Sequence, residues 1–335
     1  MHATNLSVVQ RAMIQYGMTI YLALGIVGNI FNCMMFTHHS HRPSASSIYF
    51  LFLSSFALVH LIWSVSPLLH TLNYPDLQLH SIFYCKIRLY LSHSLSQCLR
   101  YFVVCACADR FFVTRTNVQI RSLSSIHIAK KFVFMIIVVC FLISIHVPIL
   151  PDIRENVCGM FGSYKLIYSI YQITFVGILP LVLMSIFSIL TIRSIHHRHD
   201  PQRRTRKIDR YVLRMVLAEV LVNISTSIPY SINLVYGAVT YHTVEKSAER
   251  LEIESFMTFV CQFLIYLIGV VPFYLFLLTS KPFRKGFLNI LRKFCKKYII
   301  RQTRIIPSIV SNNDPMTINR SVIYAQYQRN HSRRK

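Results

Sequence analysis

Charged residues are scarce in this sequence. Asp, Glu, Lys and Arg make up only 14% of its 335 residues, whereas a soluble domain carries about 25%. Acidic residues are the scarcer sign, with 12 Asp and Glu against 36 Lys and Arg, and the chain contains a single tryptophan. Apolar residues account for 53% of the chain, and the mean hydropathy is +0.45. These values exclude a soluble domain, a disordered chain and a collagen-like chain, and they predict a membrane protein.

Long apolar runs recur along the chain. A bilayer core about 30 Å thick needs roughly 20 apolar residues in a helix. The runs that reach this length are residues 14–36, 47–69, 89–113, 132–150, 166–192, 215–239 and 255–279. We therefore predict an all-α membrane protein, a bundle of seven transmembrane helices. A β-barrel is excluded because the runs are continuous rather than alternating.

The distribution of Lys and Arg predicts the orientation. Of these 36 residues, 28 fall on one side of the predicted membrane, seven on the other, and Arg100 lies inside the third span. Basic residues favour the cytoplasmic side, so we expect a multi-pass plasma-membrane protein with its amino terminus outside. The predicted parts are an extracellular amino terminus (1–13), the bundle (14–280), a cytoplasmic amphipathic helix (281–297) and a disordered cytoplasmic tail (298–335). This topology accounts for most of the net charge of +24, so no nucleic-acid partner is expected.

The predicted topology places the nine cysteines of the chain in different compartments. Six lie inside spans and Cys295 lies in the predicted cytoplasm, which leaves Cys85 and Cys158 on the oxidising side. We predict a disulfide between them, with two unpaired external thiols as the alternative. Asn5 begins an Asn-Leu-Ser sequon on the same side and is a predicted glycosylation site.

Several motifs then occur in a fixed order. Arg110 follows Cys85 by 25 residues at the opposite end of the third span, within the triplet Asp109-Arg110-Phe111. Gly28-Asn29 lies in the first span, Pro180 in the fifth and Pro229 in the sixth. With seven spans in this orientation, the sequence from about residue 14 to residue 295 resembles the rhodopsin-like (class A) family of G-protein-coupled receptors.

The resemblance implies a switch at the cytoplasmic end of the bundle. Asp209 lies twenty residues before Pro229, where a family member carries the acid that holds Arg110 in the resting state. Outward movement of the sixth helix would expose Arg110 to a heterotrimeric G protein. Pro180 and Pro229 each remove a backbone hydrogen bond within a span, so both are predicted helix pivots.

Some residues expected of the family are missing. Ala57 replaces the acid of the second span that lines a sodium pocket, and Ser227 replaces the tryptophan of the sixth. The seventh span reads Val271-Pro272-Phe273-Tyr274 in place of Asn-Pro-x-x-Tyr. These changes predict a divergent receptor without sodium modulation. A non-signalling pseudoreceptor of the same fold stays open as an alternative.

The sequence argues against two kinds of ligand, amines and retinal. Ser92 occupies the position at which the family's amine receptors carry an aspartate, and residues 255–279 contain no lysine for retinal. Acidic residues cluster in the last outer loop, and the chain has 23 Phe and 19 Tyr. Together these favour a short basic-aromatic neuropeptide, and the chain is similar to divergent invertebrate receptors of the FMRFamide type. Odorant-like molecules, and an acidic loop without a ligand role, remain alternatives. The predicted ligand contacts are Ser92, His93, Gln97, Tyr230, Asn233, Gln262, Tyr266, Glu245, Glu249, Glu252 and Glu254.

After the seventh span, aromatic and basic residues alternate at helical spacing. Phe283, Phe287, Leu291 and Phe294 would share one face, with Lys and Arg between them. This pattern predicts an amphipathic helix along the inner lipid surface. Cys295 is a candidate for palmitoylation, and an unmodified thiol is the alternative.

Other function classes find less support. A transporter would need internal repeats or broken helices with ion ligands, and the sequence shows neither. Two histidine clusters, one at residues 38–41 and one at 196–199, have no acid at metal-ligand spacing beyond Asp200. We therefore predict neither an enzyme nor a metal site, and no cofactor.

Overall fold

The computed structural model describes residues 5–37, 44–154, 157–196, 203–240 and 246–305. The chain divides into two compact units, Met1–Phe287 and Leu288–Lys335. Six helices of the described ranges are long and apolar enough to cross a membrane: Leu6–Thr37, Ala45–His70, Ile126–His146, Ser163–Ile195, Tyr211–Val239 and Ala248–Val270.

The helices are numbered here in chain order. They are α1 (Asn5–Ala12), α2 (Thr19–Thr37), α3 (Ala45–His70), α4 (Leu77–His80), α5 (Ile82–Val113), α6 (Val118–Ser122), α7 (Ile126–Ile143), α8 (Ser163–Tyr171), α9 (Leu179–His196), α10 (Arg203–Val239), α11 (Ala248–Ile265), α12 (Leu267–Val270), α13 (Pro272–Thr279) and α14 (Lys281–Ile305). Two π-helical segments, Met13–Met18 and Gln172–Ile178, connect α1 to α2 and α8 to α9.

The third predicted span lies within α5, which has 32 residues and begins after the N-cap Ser81. The helix is long enough to cross a bilayer, but it is not among the six apolar ones, and it contains Lys86, Arg88, Arg100, Asp109 and Arg110 as well as uncharged polar residues. It packs against α3, α7, α9 and α10. Its polar side chains are therefore turned largely towards neighbouring helices.

The first helix begins earlier than the sequence predicted. The amino-terminal segment 1–13 was expected to precede the bundle, yet residues from Asn5 onwards form α1 and continue through the π-helical segment into α2. Residues 5–13 contain neither glycine nor proline, so nothing in them stops the helix. The side chain of Asn5 lies outside the described residues.

The Gly28-Asn29 pair lies where α2 meets α12 and α13. Asn29 Nδ2 donates to the carbonyl oxygen of Gly25 in its own helix (2.8 Å) and to that of Gly269 in α12 (2.7 Å). A Cβ atom at Gly28 would lie 3.0 Å from Cβ of Phe273. The pair thus combines a close helix contact with an interhelical hydrogen bond.

A short hairpin closes one end of the bundle. Strands β1 (Asp152–Arg154) and β2 (Val157–Gly159) pair antiparallel, with Ile153 opposite Cys158. Cys158 and Cys85, the pair that the sequence predicted, are joined by a disulfide bond with their Cα atoms 6.0 Å apart. We call this the disulfide end, and the opposite end, where α5 finishes, the Arg110 end.

Helix α14 differs from the amphipathic helix predicted at 281–297. Phe283 contacts the rings of Phe36, Phe273 and Phe276, so part of the face expected to meet lipid packs against the bundle. The helix also runs on to Ile305, into the segment predicted to be disordered. After Gly286 no glycine or proline occurs until Pro307, and a helix usually ends before a proline. The Cys295 thiol in this helix is exposed.

Candidate functional site

At the Arg110 end, Asp109 and Arg110 form a buried ion pair. Arg110 Nη2 lies 2.7 Å from Asp109 Oδ2, and the two side chains are 8% and 3% exposed. Removing one partner of a buried ion pair typically costs about 3–5 kcal/mol, because the other charge is left without compensation. Loss of either side chain should therefore destabilise this end of the bundle.

Asp109 also accepts hydrogen bonds from two serines that the sequence analysis did not single out. Ser46 Oγ, in the first turn of α3, donates to Oδ2, and Ser124 Oγ, between α6 and α7, donates to Oδ1. The N-cap Ser44 places Ser46 in that first turn. One carboxylate thus connects α3, α5 and the segment before α7. No periodic pattern in the sequence marks these serines, since both lie at helix boundaries.

Phe111 and Arg110 face α9 and α10. The Phe111 ring packs on Phe187 of α9, and the Arg115 guanidinium lies 4.3 Å from the centre of the Phe111 ring. A small pocket opens beside Arg110 between α5, α9 and α10. Its lining residues are Arg110, Val113, Thr114, Thr191, Ile195 and Leu213.

Asp209, the predicted resting partner of Arg110, belongs to α10. Its side chain lies outside the described residues. The contact between Asp209 and Arg110 therefore stays a prediction.

Towards the disulfide end, His93 and Gln97 belong to a polar network that joins three helical segments. His93 Nε2 lies 3.1 Å from the Tyr171 hydroxyl, which donates to Gln97 Oε1 at 3.3 Å. Ser144 donates to the same Gln97 oxygen at 3.0 Å. The ring of His146 lies edge-on to Tyr171 with centroids 4.5 Å apart. Both predicted ligand contacts are buried and hold α5 to the ends of α7 and α8.

Three further predicted contacts make bonds between helices. Ser92 Oγ lies 3.0 Å from Ser64 Oγ of α3. Tyr230 in α10 accepts a long hydrogen bond of 3.5 Å from Gln172, and Asn233 donates to Thr258 of α11 at 3.0 Å. Because the Tyr230 hydroxyl oxygen is the acceptor in this hydrogen bond, the hydroxyl proton of Tyr230 can still be donated to another acceptor.

Gln262 and Tyr266, the predicted contacts of the seventh span, differ in exposure. Gln262 is exposed, whereas Tyr266 is 5% exposed and packs with Met18, Leu61 and Val270. The Tyr266 ring also lies 5.9 Å from that of His60 in α3. Tyr266 separates α11 from α12, so the predicted seventh span is interrupted here and again before Pro272.

The acidic residues of the last predicted outer loop are not equivalent. Glu254 is bound by Lys246 at 2.6 Å and by Arg250 at 3.0 Å, and it accepts a hydrogen bond from the Tyr236 hydroxyl. Its charge is thus compensated within the chain. Glu249 is exposed and Glu252 is half-buried, whereas Glu245 lies outside the described residues.

The two predicted pivots have different surroundings. Pro229 lies inside α10, which remains one helix, and its carbonyl oxygen accepts a contact of 3.5 Å from the Cys261 thiol of α11. Pro180 is the second residue of α9, directly after the π-helical segment Gln172–Ile178. The irregularity in that span therefore begins upstream of the proline.

Three buried charged residues were misjudged or left unexplained by the sequence analysis. Arg88, which was counted among the external charges, is only 7% exposed within α5 and donates to the Ser64 carbonyl oxygen at 3.4 Å. Arg100 is 2% exposed and Glu219 in α10 is completely buried. Neither carboxylate oxygen of Glu219 has a hydrogen-bond partner in the described part of the chain. Position within a span marks Arg100 and Glu219 in the sequence, but only packing reveals that Arg88 points inwards.

Metal-binding clusters are not found among the described residues, which contain no group of three His, Cys, Asp or Glu side chains able to hold an ion. The histidines at residues 38–41 and 197–199 fall outside these ranges.

Most of the chain is similar to a known protein family. The family model described as 7 transmembrane receptor (rhodopsin family) matches residues 28–271, well over half of the chain. This range begins at Gly28 and ends at Val271, directly before Pro272, and it includes both disulfide cysteines and the Asp109-Arg110-Phe111 triplet. No curated protein matches the chain.

Proposed function

Because the chain belongs to the rhodopsin family of seven-transmembrane receptors, a family of multi-pass membrane proteins that are not enzymes, we propose that it transduces an extracellular ligand to a heterotrimeric G protein. The observation that carries this proposal is the buried Asp109–Arg110 pair, tied to Ser46 and Ser124 and adjoining a pocket between α5, α9 and α10. A buried ion pair held by hydroxyl donors on two other segments is well suited to define a resting state.

The proposal requires α5, the third predicted span, to cross the membrane in addition to the six apolar helices, and it requires the disulfide end to face outward. Length supports α5 as a span, since 32 residues reach about 48 Å at 1.5 Å per residue. The excess of Lys and Arg at the Arg110 end supports a cytoplasmic location for that end and an external amino terminus. We further propose a plasma-membrane location, glycosylation at Asn5, and contact of α14 with anionic lipids, with Cys295 as a lipidation site.

Signalling in this account is a shift between two conformations. The bound ligand would favour a state in which α10 moves outward around Pro229, so that Arg110 and the neighbouring pocket become accessible to the G protein. A ligand can shift such an equilibrium only by its difference in affinity for the two states. Asp209 would hold Arg110 in the resting state, a contact that rests on sequence position alone.

The proposed ligand is a short peptide with basic and aromatic residues. Support comes from Glu249, which is exposed, and from the aromatic side chains around His93, including Tyr168 and Tyr171. Glu254 supports it less than the sequence suggested, because Lys246 and Arg250 already compensate its charge.

The proposal is tested by nucleotide exchange on purified G proteins. The receptor in nanodiscs is screened against basic-aromatic peptides, and the Arg110→Ala variant is compared with Arg121→Ala, which removes an exposed arginine from the same end. We expect a peptide-stimulated exchange that Arg110→Ala abolishes and Arg121→Ala retains. Stimulation that survives Arg110→Ala would contradict the proposed switch.

A non-signalling receptor of the same fold is the second candidate, because Ser227 stands where the family carries a tryptophan and its hydroxyl is buried without a hydrogen-bond partner in the described part of the chain. In that case a peptide would raise the melting temperature of the receptor without stimulating exchange on any G protein. A transporter remains less well supported, and it would show uptake of the peptide into receptor-containing vesicles.

A further inference from the structure

Arg100 is a buried cation whose charge is not neutralised within the described chain. Its Nη1 donates to the carbonyl oxygen (2.9 Å) and the hydroxyl (2.6 Å) of Ser96, one turn back in the same helix. Its Nε is buried and has no hydrogen-bond partner among the described residues. A guanidinium inside a membrane bundle is costly unless an anion or several acceptors compensate it.

The side chains around Arg100 come from three helices and bring no negative charge. His60 of α3, His93 of α5 and Tyr230 of α10 are close enough to interact with it electrostatically. His60 Nδ1 is itself buried without a partner in the described ranges, and the Tyr230 hydroxyl retains its proton for donation. Arg100 and His60 are thus buried, and each has a nitrogen atom without a hydrogen-bond partner in the described ranges, while Tyr230 is half-buried.

The acids of the chain lie elsewhere. Asp109 is nine residues further along α5, roughly 14 Å away, and is bound to Arg110. Glu219 lies close to Cys107, seven residues nearer the Arg110 end than Arg100. The remaining acids fall, by sequence position, in loops or at the ends of the bundle. Arg88, a further buried guanidinium, lies between Arg100 and the disulfide end and adds positive charge to the interior on that side.

We propose that Arg100 binds the carboxylate of the receptor's ligand, with His60 and Tyr230 as additional hydrogen-bond partners. A planar guanidinium pairs with a carboxylate through two parallel hydrogen bonds, which gives both strength and orientation. Arg88 would attract the same group as it enters from the disulfide end. This inference deepens the proposed function and rests on it for the ligand's direction of entry.

Binding of a carboxylate at Arg100 would restrict the class of ligand. A peptide whose carboxyl terminus is amidated carries no negative charge there, whereas a peptide or small acid with a free carboxylate can pair with Arg100. The ligand is therefore an aromatic acid or a peptide with a free carboxyl terminus, inserted with its anionic end towards Arg100. Any basic group on it would remain near the exposed Glu249.

Thermal unfolding of the purified receptor in nanodiscs tests this without any G protein. The probes are 3-phenylpropionate and 3-phenylpropionamide, which have nearly the same size but differ in charge, each titrated in methanesulfonate buffer, which contains no carboxylate. A third arm replaces methanesulfonate by chloride. We expect the carboxylate to raise the melting temperature in a saturable way and the amide to have at least tenfold weaker apparent affinity.

Variants identify the site. Arg100→Gln should weaken the carboxylate at least tenfold, Arg100→Lys should recover part of the loss, and Arg121→Gln at the Arg110 end should leave the titration unchanged. Should Arg100→Gln not fold, Tyr230→Phe, which removes one donor and keeps the ring, should still weaken the carboxylate measurably. Equal effects of acid and amide, a titration unchanged in both Arg100→Gln and Tyr230→Phe, or stabilisation by chloride alone would each overturn the proposal. These results are independent of nucleotide exchange, so a failure here is distinct from a failure of the signalling proposal.

Discussion

Asp109 Oδ2 accepts a hydrogen bond from Arg110 Nη2 at 2.7 Å, although residues adjacent in a helix point in different directions. Both side chains are buried at the Arg110 end, where Ser46 and Ser124 also donate hydrogen bonds to the carboxylate. The carboxylate therefore accepts hydrogen bonds from three side chains on three segments, Arg110 on α5, Ser46 on α3 and Ser124 before α7. Asp109 is therefore the residue that connects these segments at the Arg110 end.

Replacement of Asp109 by asparagine should weaken this end of the bundle and raise ligand-independent nucleotide exchange. The substitution leaves the buried Arg110 without its adjacent carboxylate, at a cost of about 3–5 kcal/mol in the free energy of unfolding. Thermal unfolding and basal exchange on purified receptor measure the two effects. Arg121→Gln, which removes an exposed charge from the same end of the bundle, is the control and should change neither. Unaltered stability and unaltered basal exchange in Asp109→Asn would contradict the account.

Loss of the Cys85–Cys158 bond should destabilise the disulfide end. The bond ties β2 to the first turn of α5, and removing a native disulfide typically costs about 2–5 kcal/mol. The Cys85→Ala/Cys158→Ala variant is expected to unfold at a lower temperature than the wild type and to be insensitive to reductant. Cys295→Ala removes an exposed thiol and serves as control. A wild-type melting temperature unchanged by reductant would be inconsistent with a structural role for the bond.

The Tyr171 hydroxyl should contribute to the stability of the bundle rather than to ligand binding alone. It joins His93, Gln97 and Ser144, and leaving buried polar partners unsatisfied costs about 1–3 kcal/mol. Tyr171→Phe keeps the ring contacts with His146 and should lower the melting temperature of the ligand-free receptor. Tyr16→Phe, at a side chain that is 64% exposed, should have no effect. If the two variants melt alike, the network is not structural.

The sequence was sufficient for features that depend on position along the chain. Cys85 and Cys158 could be paired because topology left only these two cysteines on the oxidising side. The Asp109-Arg110-Phe111 triplet, Pro180 and Pro229 were recognisable because their spacing is that of the family.

The sequence did not predict in which direction individual side chains point from their helices, or which partners they contact. Arg88 was counted as an external charge because it precedes the apolar run, but it faces the interior of the bundle. Ser46 and Ser124 carry no signal, since serines are common at helix starts. Phe283 was assigned to lipid because an amphipathic pattern does not distinguish a lipid surface from an aromatic cluster formed by Phe36, Phe273 and Phe276.

The orientation of the two chain ends provides the most direct test of the seven-span account, because it depends on α5 crossing the membrane despite its five charged residues. Epitope tags at the amino and carboxyl termini are probed with antibodies on intact and on permeabilised cells. The account predicts that the amino-terminal tag is labelled on intact cells and the carboxyl-terminal tag only after permeabilisation. Labelling of both tags on intact cells, or of neither, would mean an even number of spans and would contradict it.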